Sequence, residues 1–90
     1  MVKKTVVVKN KTGLHARPAS EFVKNALKFK SNITICRTTE ENREVNAKSI
    51  ILLLSLGLCN GEEIEIVANG EDEKEAVDSL IKLIESGFGE

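Results

Sequence analysis

His15-Ala16-Arg17-Pro18 holds the only histidine in the chain, two residues before an arginine and three before the only proline. A neutral imidazole nitrogen is a nucleophile. A guanidinium offers planar donors that match phosphate oxygens. Directly after them, Ala19, Phe22, Val23, Ala26 and Leu27 recur at helical spacing and form one apolar stripe. Proline is tolerated only within the first turn of a helix, where its missing N–H is not needed. Pro18 therefore sets the helix start near Ala16, with His15 at the cap position. The first N–H groups of a helix lack partners inside it, and the macrodipole adds partial positive charge. A negative group on the His15 ring would meet the backbone N–H groups of Ala16 and Arg17 and the Arg17 side chain. A transferable phosphoryl group suits such a point. No general base, metal ligand or second acid stands nearby in sequence. The site is equipped to carry a group rather than to start difficult chemistry alone. Taken by itself, a lone histidine at a helix start is more often a plain cap or a solvated surface residue, and the spacing leaves that alternative open.

The elements that must position this group follow from pattern. Thr5-Val6-Val7-Val8 is a β-branched run and predicts a strand over Lys3 to Lys9. Asn10 to Gly13 is a polar loop, and Gly13 can take dihedrals closed to other residues. Ile33 and Ile35 alternate with polar neighbours in a second strand, Asn32 to Arg37. A charged turn follows, and Glu44-Val45-Asn46 forms a short third strand. Ala47 to Leu56 is apolar enough for a buried strand. Ser49 as N-cap and Gly57 as stop favour a short helix instead. Glu62 to Ala68 alternates sharply and is a strand. Asp72 with Glu75 resembles a capping box. It opens a last helix whose stripe is Ala76, Val77, Leu80, Ile81 and Ile84, ending near Gly87. The order β-α-β-β-α-β-α predicts an α+β sandwich, helices on one face of a four-stranded sheet.

Composition bounds the rest. Ninety residues with 41% hydrophobic content predict a single domain over residues 1–90 with an aliphatic core. A net charge of −1, with no Trp or Tyr, argues against direct nucleic-acid binding. No apolar run approaches a membrane span, and Lys9 and Lys11 interrupt the N-terminal stretch too early for a signal peptide. Cys36 and Cys59 make no disulfide framework. They are expected as small buried or half-buried apolar residues, and no metal or cofactor is implied. A cytoplasmic location follows.

Gly13-Leu14-His15-Ala16-Arg17-Pro18-Ala19 resembles the phosphorylation-site motif of HPr, the histidine-containing phosphocarrier of the bacterial sugar phosphotransferase system. The resemblance extends through Val45 to Ile50, Ser55-Leu56-Gly57, the Gly61 to Ala68 strand and the Asp72 helix start. Two separated motifs in the right order outweigh the plain-cap alternative. The resemblance implies an open-faced β-sandwich. It implies that His15 accepts a phosphoryl group at Nδ1 from phospho-enzyme I and passes it to IIA domains of sugar permeases, with Arg17 stabilising the moving group. It also implies that Ser49 is a regulatory serine, phosphorylated by an HPr kinase/phosphorylase. The phosphoserine form would oppose docking to enzyme I and engage a catabolite-control transcription factor. Ile50, Ile51 and Leu54 match an exposed apolar docking patch, which a short all-apolar helix independently requires. Leu53 and Leu56 are the better core candidates. Ser20 and Lys24 are expected to touch partners; Lys24 and Lys28 are placed to steer acidic ones, with a plain solvated face as the alternative. Thr12 takes a weak supporting role near the phosphate.

Two features depart from the family pattern. The hairpin around Arg37 to Glu44 is about three residues longer, an insertion of low energetic cost. Leu52 stands where a small residue is usual and would enlarge the apolar patch. A regulatory-only corepressor acting through phosphoserine is the alternative function. Such a protein lacks the histidine, which this chain has. A ferredoxin-like module for metal or RNA would want paired cysteines or a basic aromatic sheet, and neither is present. The resemblance implies a covalently phosphorylated carrier rather than a free-standing enzyme, with a monomer as the default expectation.

Overall fold

The computed structural model describes residues 1–89. These form β1 (Val2–Val7), α1 (Ala16–Ala26), β2 (Asn32–Arg37), β3 (Val45–Asn46), α2 (Ile50–Ser55), β4 (Glu63–Asn69) and α3 (Glu73–Glu85). A single 3₁₀ turn occupies Glu41–Arg43, and Gly87–Gly89 form a turn with positive φ throughout (69°, 56° and 80°). The expected order βαββαβα is the observed one. The sheet runs β1-β4-β2-β3, and all its pairings are antiparallel.

The period-2 pattern decides which face is covered. Val6 pairs with Ile64, Ile35 with Ile66 and Ile33 with Ala68. All six are buried and form the floor on which the helices lie. Phe22 and Ala26 of α1, Leu53 of α2, and Val77, Leu80 and Ile84 of α3 fill the space above. Lys3, Thr5, Thr34 and Val67 sit on the opposite, uncovered face, so the fold is an open-faced α+β sandwich.

Several local expectations shift. β1 ends at Val7 rather than Lys9. Beyond Val8, Asn60 Nδ2 donates to the carbonyls of Lys9 (2.9 Å) and Asn10 (3.1 Å), drawing the chain out of the ladder. Leu27 follows α1 and is 61% exposed rather than part of its buried stripe. Cys36 is buried, as expected, but Cys59 is exposed on the loop after α2. The capping box does not form. The Asp72 carboxylate instead accepts from the backbone N–H of Lys30 (2.9 Å) and from the N–H and Oγ of Ser31 (3.0 and 2.5 Å). Three distant donors outcompete the local one. Glu73 supplies the return bond at this helix start, accepting from Gly70 N–H at 3.1 Å.

The longer hairpin turns toward the open face. Its Glu41 and Glu44 help line a cavity of about 310 Å³ with Lys3, Thr34 and Glu65. Burial, followed by the charges of Glu65, Glu44 and Glu41, pushes the Cys36 thiol up from its ordinary value.

Candidate functional site

Leu14 and His15 point in opposite directions because they alternate along extended backbone. Leu14 is buried and donates its N–H to the Leu58 carbonyl at 2.9 Å. His15, with φ −121° and ψ 164°, is the N-cap of α1 and is exposed. Its ring makes no capping bond, so the imidazole is not committed to the helix end. The His15 carbonyl accepts from Ala19 N–H at 3.2 Å, the first turn of the helix. Ala16, between them, has a positive φ of 26°. That sign is uncommon for a residue with a Cβ and stores roughly 1 kcal/mol or more of strain beside the histidine. Pro18 is buried in the first turn, as the sequence requires.

The electrostatics favour an anion. The first turn of α1 carries no acidic side chain to cancel the dipole. The Arg17 side chain is 85% exposed, and its Nε lies 3.2 Å from Glu21 Oε1, one turn along the helix. An exposed pair of this kind is weak. The guanidinium can therefore be shared with, or yielded to, a stronger anion at the helix end. Among the described residues, no group of three His, Cys, Asp or Glu could hold a metal ion.

Behind His15, a bonded loop pair holds the approach to the helix. Asn10 is buried; its Nδ2 donates to the Gly13 carbonyl at 2.6 Å and to Thr12 Oγ1 at 3.3 Å. Thr12 is thus tied into this loop. Gly13 has φ +70°, and a Cβ there would stand 2.5 Å from the Leu58 oxygen, so only glycine fits. The facing loop is braced in turn. Glu62 accepts from Cys59 N–H at 2.7 Å and pairs with Arg37 Nε at 2.6 Å, while Arg37 also donates to the Gly57 carbonyl at 3.0 Å. These bonds hold the Glu62 carboxyl below its usual range, the Arg37 bond contributing most.

Ser49 sits where the sequence puts it. Its Oγ accepts from Leu52 N–H at 3.3 Å at the start of α2. Leu53 and Leu56 are buried, and Ile51 (76%), Leu52 (43%) and Leu54 (38%) are exposed. Ile50, by contrast, is only half-exposed and packs against the core. It lines a groove of about 350 Å³ with Ser20, Val23, Lys24 and Leu27 where α1 meets α2. The exposed patch is therefore Ile51, Leu52 and Leu54, with Ile50 and Leu27 at the groove beside it. Lys28 is exposed.

Residues 2–86 match the family described as the PTS HPr component phosphorylation site. The chain belongs to the PTS HPr family. Among relatives of this HPr family, the HPr-like protein Crh of Halalkalibacterium halodurans is 48% identical over 94% of this chain and 98% of its own length. The multiphosphoryl transfer protein of Haemophilus influenzae is 43% identical over 96% of this chain, which spans 17% of that protein. The crystal structure of HPr-C-His from Thermoanaerobacter tengcongensis superposes with a TM-score of 0.93, at 50% identity, over 100% of this chain and 98% of that one.

Within the HPr fold, sequence reasoning located the histidine loop and the Ser49 helix. It missed the Asn10–Gly13 and Asn60–Asn10 bonds and the exposure of Leu27. Two asparagines at strand ends were a usable hint. Leu27 was not: it keeps helical backbone and bonds the Val23 carbonyl at 2.9 Å, but it lies at the edge of the stripe, where packing rather than spacing decides exposure.

Proposed function

We propose that this protein is a phosphocarrier that accepts a phosphoryl group on His15 from phospho-enzyme I and hands it to IIA domains of sugar permeases. The observation that carries the reading is an exposed imidazole, unused as a cap, at an acid-free helix start beside an exposed arginine, in a chain of the HPr family. The lone pair of Nδ1 attacks phosphorus while the bond to the donor atom breaks, and the donor keeps that electron pair. The Ala16 and Arg17 N–H groups and the Arg17 guanidinium then face the phosphoryl oxygens. Pro18 stiffens the turn. The Ser20–Lys24 flank of α1 and the Ile51–Leu54 patch of α2 offer the docking surface, and no covalent chemistry beyond transfer is asked of the protein. Among the described residues, no helix is long and apolar enough to cross a membrane, and we place the carrier in the cytoplasm.

Regulation belongs to the same reading. Ser49, phosphorylated by an HPr kinase/phosphorylase, would place a dianion beside the apolar patch. A phosphate at a helix N-cap is favoured by the dipole, so α2 would persist while docking to enzyme I weakens. The modified face would engage a catabolite-control transcription factor.

Incubation with enzyme I and phosphoenolpyruvate, read by mass spectrometry, tests the reading. One added phosphoryl group is expected on the wild-type protein and none on His15→Ala. Equal loading of both would overturn it. Incubation with the kinase and ATP is expected to modify Ser49 and not Ser49→Ala; no added phosphate on the wild-type protein would remove the regulatory half.

A further inference from the structure

We propose that Asn10 and Asn60 form a positioning pair that sets the backbone feeding His15; this rests on the reading of His15 as the phosphoryl acceptor. Asn10 is 2% exposed, and its amide reaches over the turn to the Gly13 carbonyl at 2.6 Å. Gly13 N–H returns a bond to the Asn10 carbonyl at 3.1 Å, closing the turn. Asn60, from the facing loop, donates to that same Asn10 carbonyl and to Lys9. The orientation of the Gly13 peptide is therefore fixed from both sides, immediately before Leu14 locks onto Leu58 and the chain emerges at His15. Asn10 Oδ1 is buried with no hydrogen-bond partner among the described residues. An unsatisfied carbonyl in the interior is unfavourable, so burial of this side chain needs an offsetting bond. What Asn10 gains is the hold on Gly13. Phosphoryl transfer needs the acceptor nitrogen aimed along the donor bond, and small misplacements slow it strongly. A tilted Gly13–Leu14 peptide would swing the imidazole without changing the docking face on α1 and α2.

The test uses the full chain, phospho-enzyme I as donor and single-turnover kinetics over a range of carrier concentrations. Asn10→Asp keeps the size of the side chain but loses the amide donor. Asn60→Ala alters an exposed residue, which protects the fold. Val77→Ala, on the buried face of α3, serves as a control destabilised away from the loop. The maximal transfer rate is expected to fall about tenfold in both asparagine variants, with half-saturating concentration within about twofold of wild type. Val77→Ala is expected to keep the wild-type rate wherever it is folded. Wild-type rates in folded Asn10→Asp and Asn60→Ala, or a loss confined to half-saturation, would overturn the proposal. A wild-type chain that is not phosphorylated at all would instead remove the reading of His15, and the positioning role with it.

Discussion

The Arg17 guanidinium faces the Glu21 carboxylate one helical turn away, Nε to Oε1 3.2 Å, on the exposed flank of the histidine helix. The cation best placed to serve a phosphoryl group is thus held by a neighbour in the unphosphorylated protein. Arg17→Ala is expected to slow phosphoryl acceptance at least tenfold, by roughly the loss of one charged donor. Its unfolding free energy should change by no more than about 0.5 kcal/mol, since the pair is exposed. Glu21→Gln should accept at the wild-type rate or faster. Initial rates and thermal unfolding measured together check both; slowing in Glu21→Gln equal to that in Arg17→Ala would mean that the pair itself serves the site.

Gly13 and Gly61 both have positive φ, +70° and +89°, yet only Gly13 is crowded. A Cβ at Gly13 would meet the Leu58 oxygen at 2.5 Å and Cys59 Cα at 2.9 Å, whereas nothing lies within 4 Å of one at Gly61. Gly61→Ala should lose about 1–2 kcal/mol, the torsional term alone. Gly13→Ala should lose about 2–4 kcal/mol, because a backbone clash is added. Urea unfolding midpoints distinguish them; equal losses would show that the close approach to Leu58 carries no energy.

At Ser49 the cap and the proposed regulatory role separate by substitution. Ser49→Ala removes the acceptor for Leu52 N–H and should destabilise by about 1 kcal/mol. Ser49→Asp keeps an acceptor, so its stability should stay within about 0.5 kcal/mol of wild type. It should nevertheless accept phosphoryl groups from enzyme I more slowly, because it adds charge beside the Ile51 patch. An aspartate variant loaded at the wild-type rate would count against regulation through charge.

Asp72 gives the fold an acid-sensitive tether. Its bonds from Ser31 first, then from Lys30, hold its carboxyl down from 3.8 to about 2. A depressed folded-state value means the stabilisation is present above the unfolded value of 3.8 and is lost as pH falls toward about 2. Urea midpoints should therefore drop across that window, and more steeply in the wild type than in Asp72→Asn. Parallel slopes in the two proteins would show that the tether does not titrate.

What could be read from the chain was local. Pro18 admits a helix start only near Ala16, and Ser49 and Gly57 bracket a helix, because the energies that set helix ends act within a turn. The alternation in β2 and β4 likewise fixed which side chains face the helices. Asp72 marks the limit. Its spacing to Glu75 predicted a capping box, but Ser31 and Lys30, about forty residues away, claim the carboxylate. Cys59 is similar: Leu58 in the same loop is buried while Cys59 is exposed, and only packing decides which of the two turns inward.

The sequence alone determined that a histidine, an arginine and unpaired helix amides meet at one point, since these lie within four consecutive residues. Tertiary structure decided how that point is held. The sheet order β1-β4-β2-β3 brings the ends of β1 and β4 together, and only then can Asn60 bond Asn10, Leu58 receive Leu14, and Gly13 become irreplaceable. Hydrogen bonds across fifty residues leave no periodic trace, because they depend on where packing of the apolar faces places the loops rather than on the residues beside them.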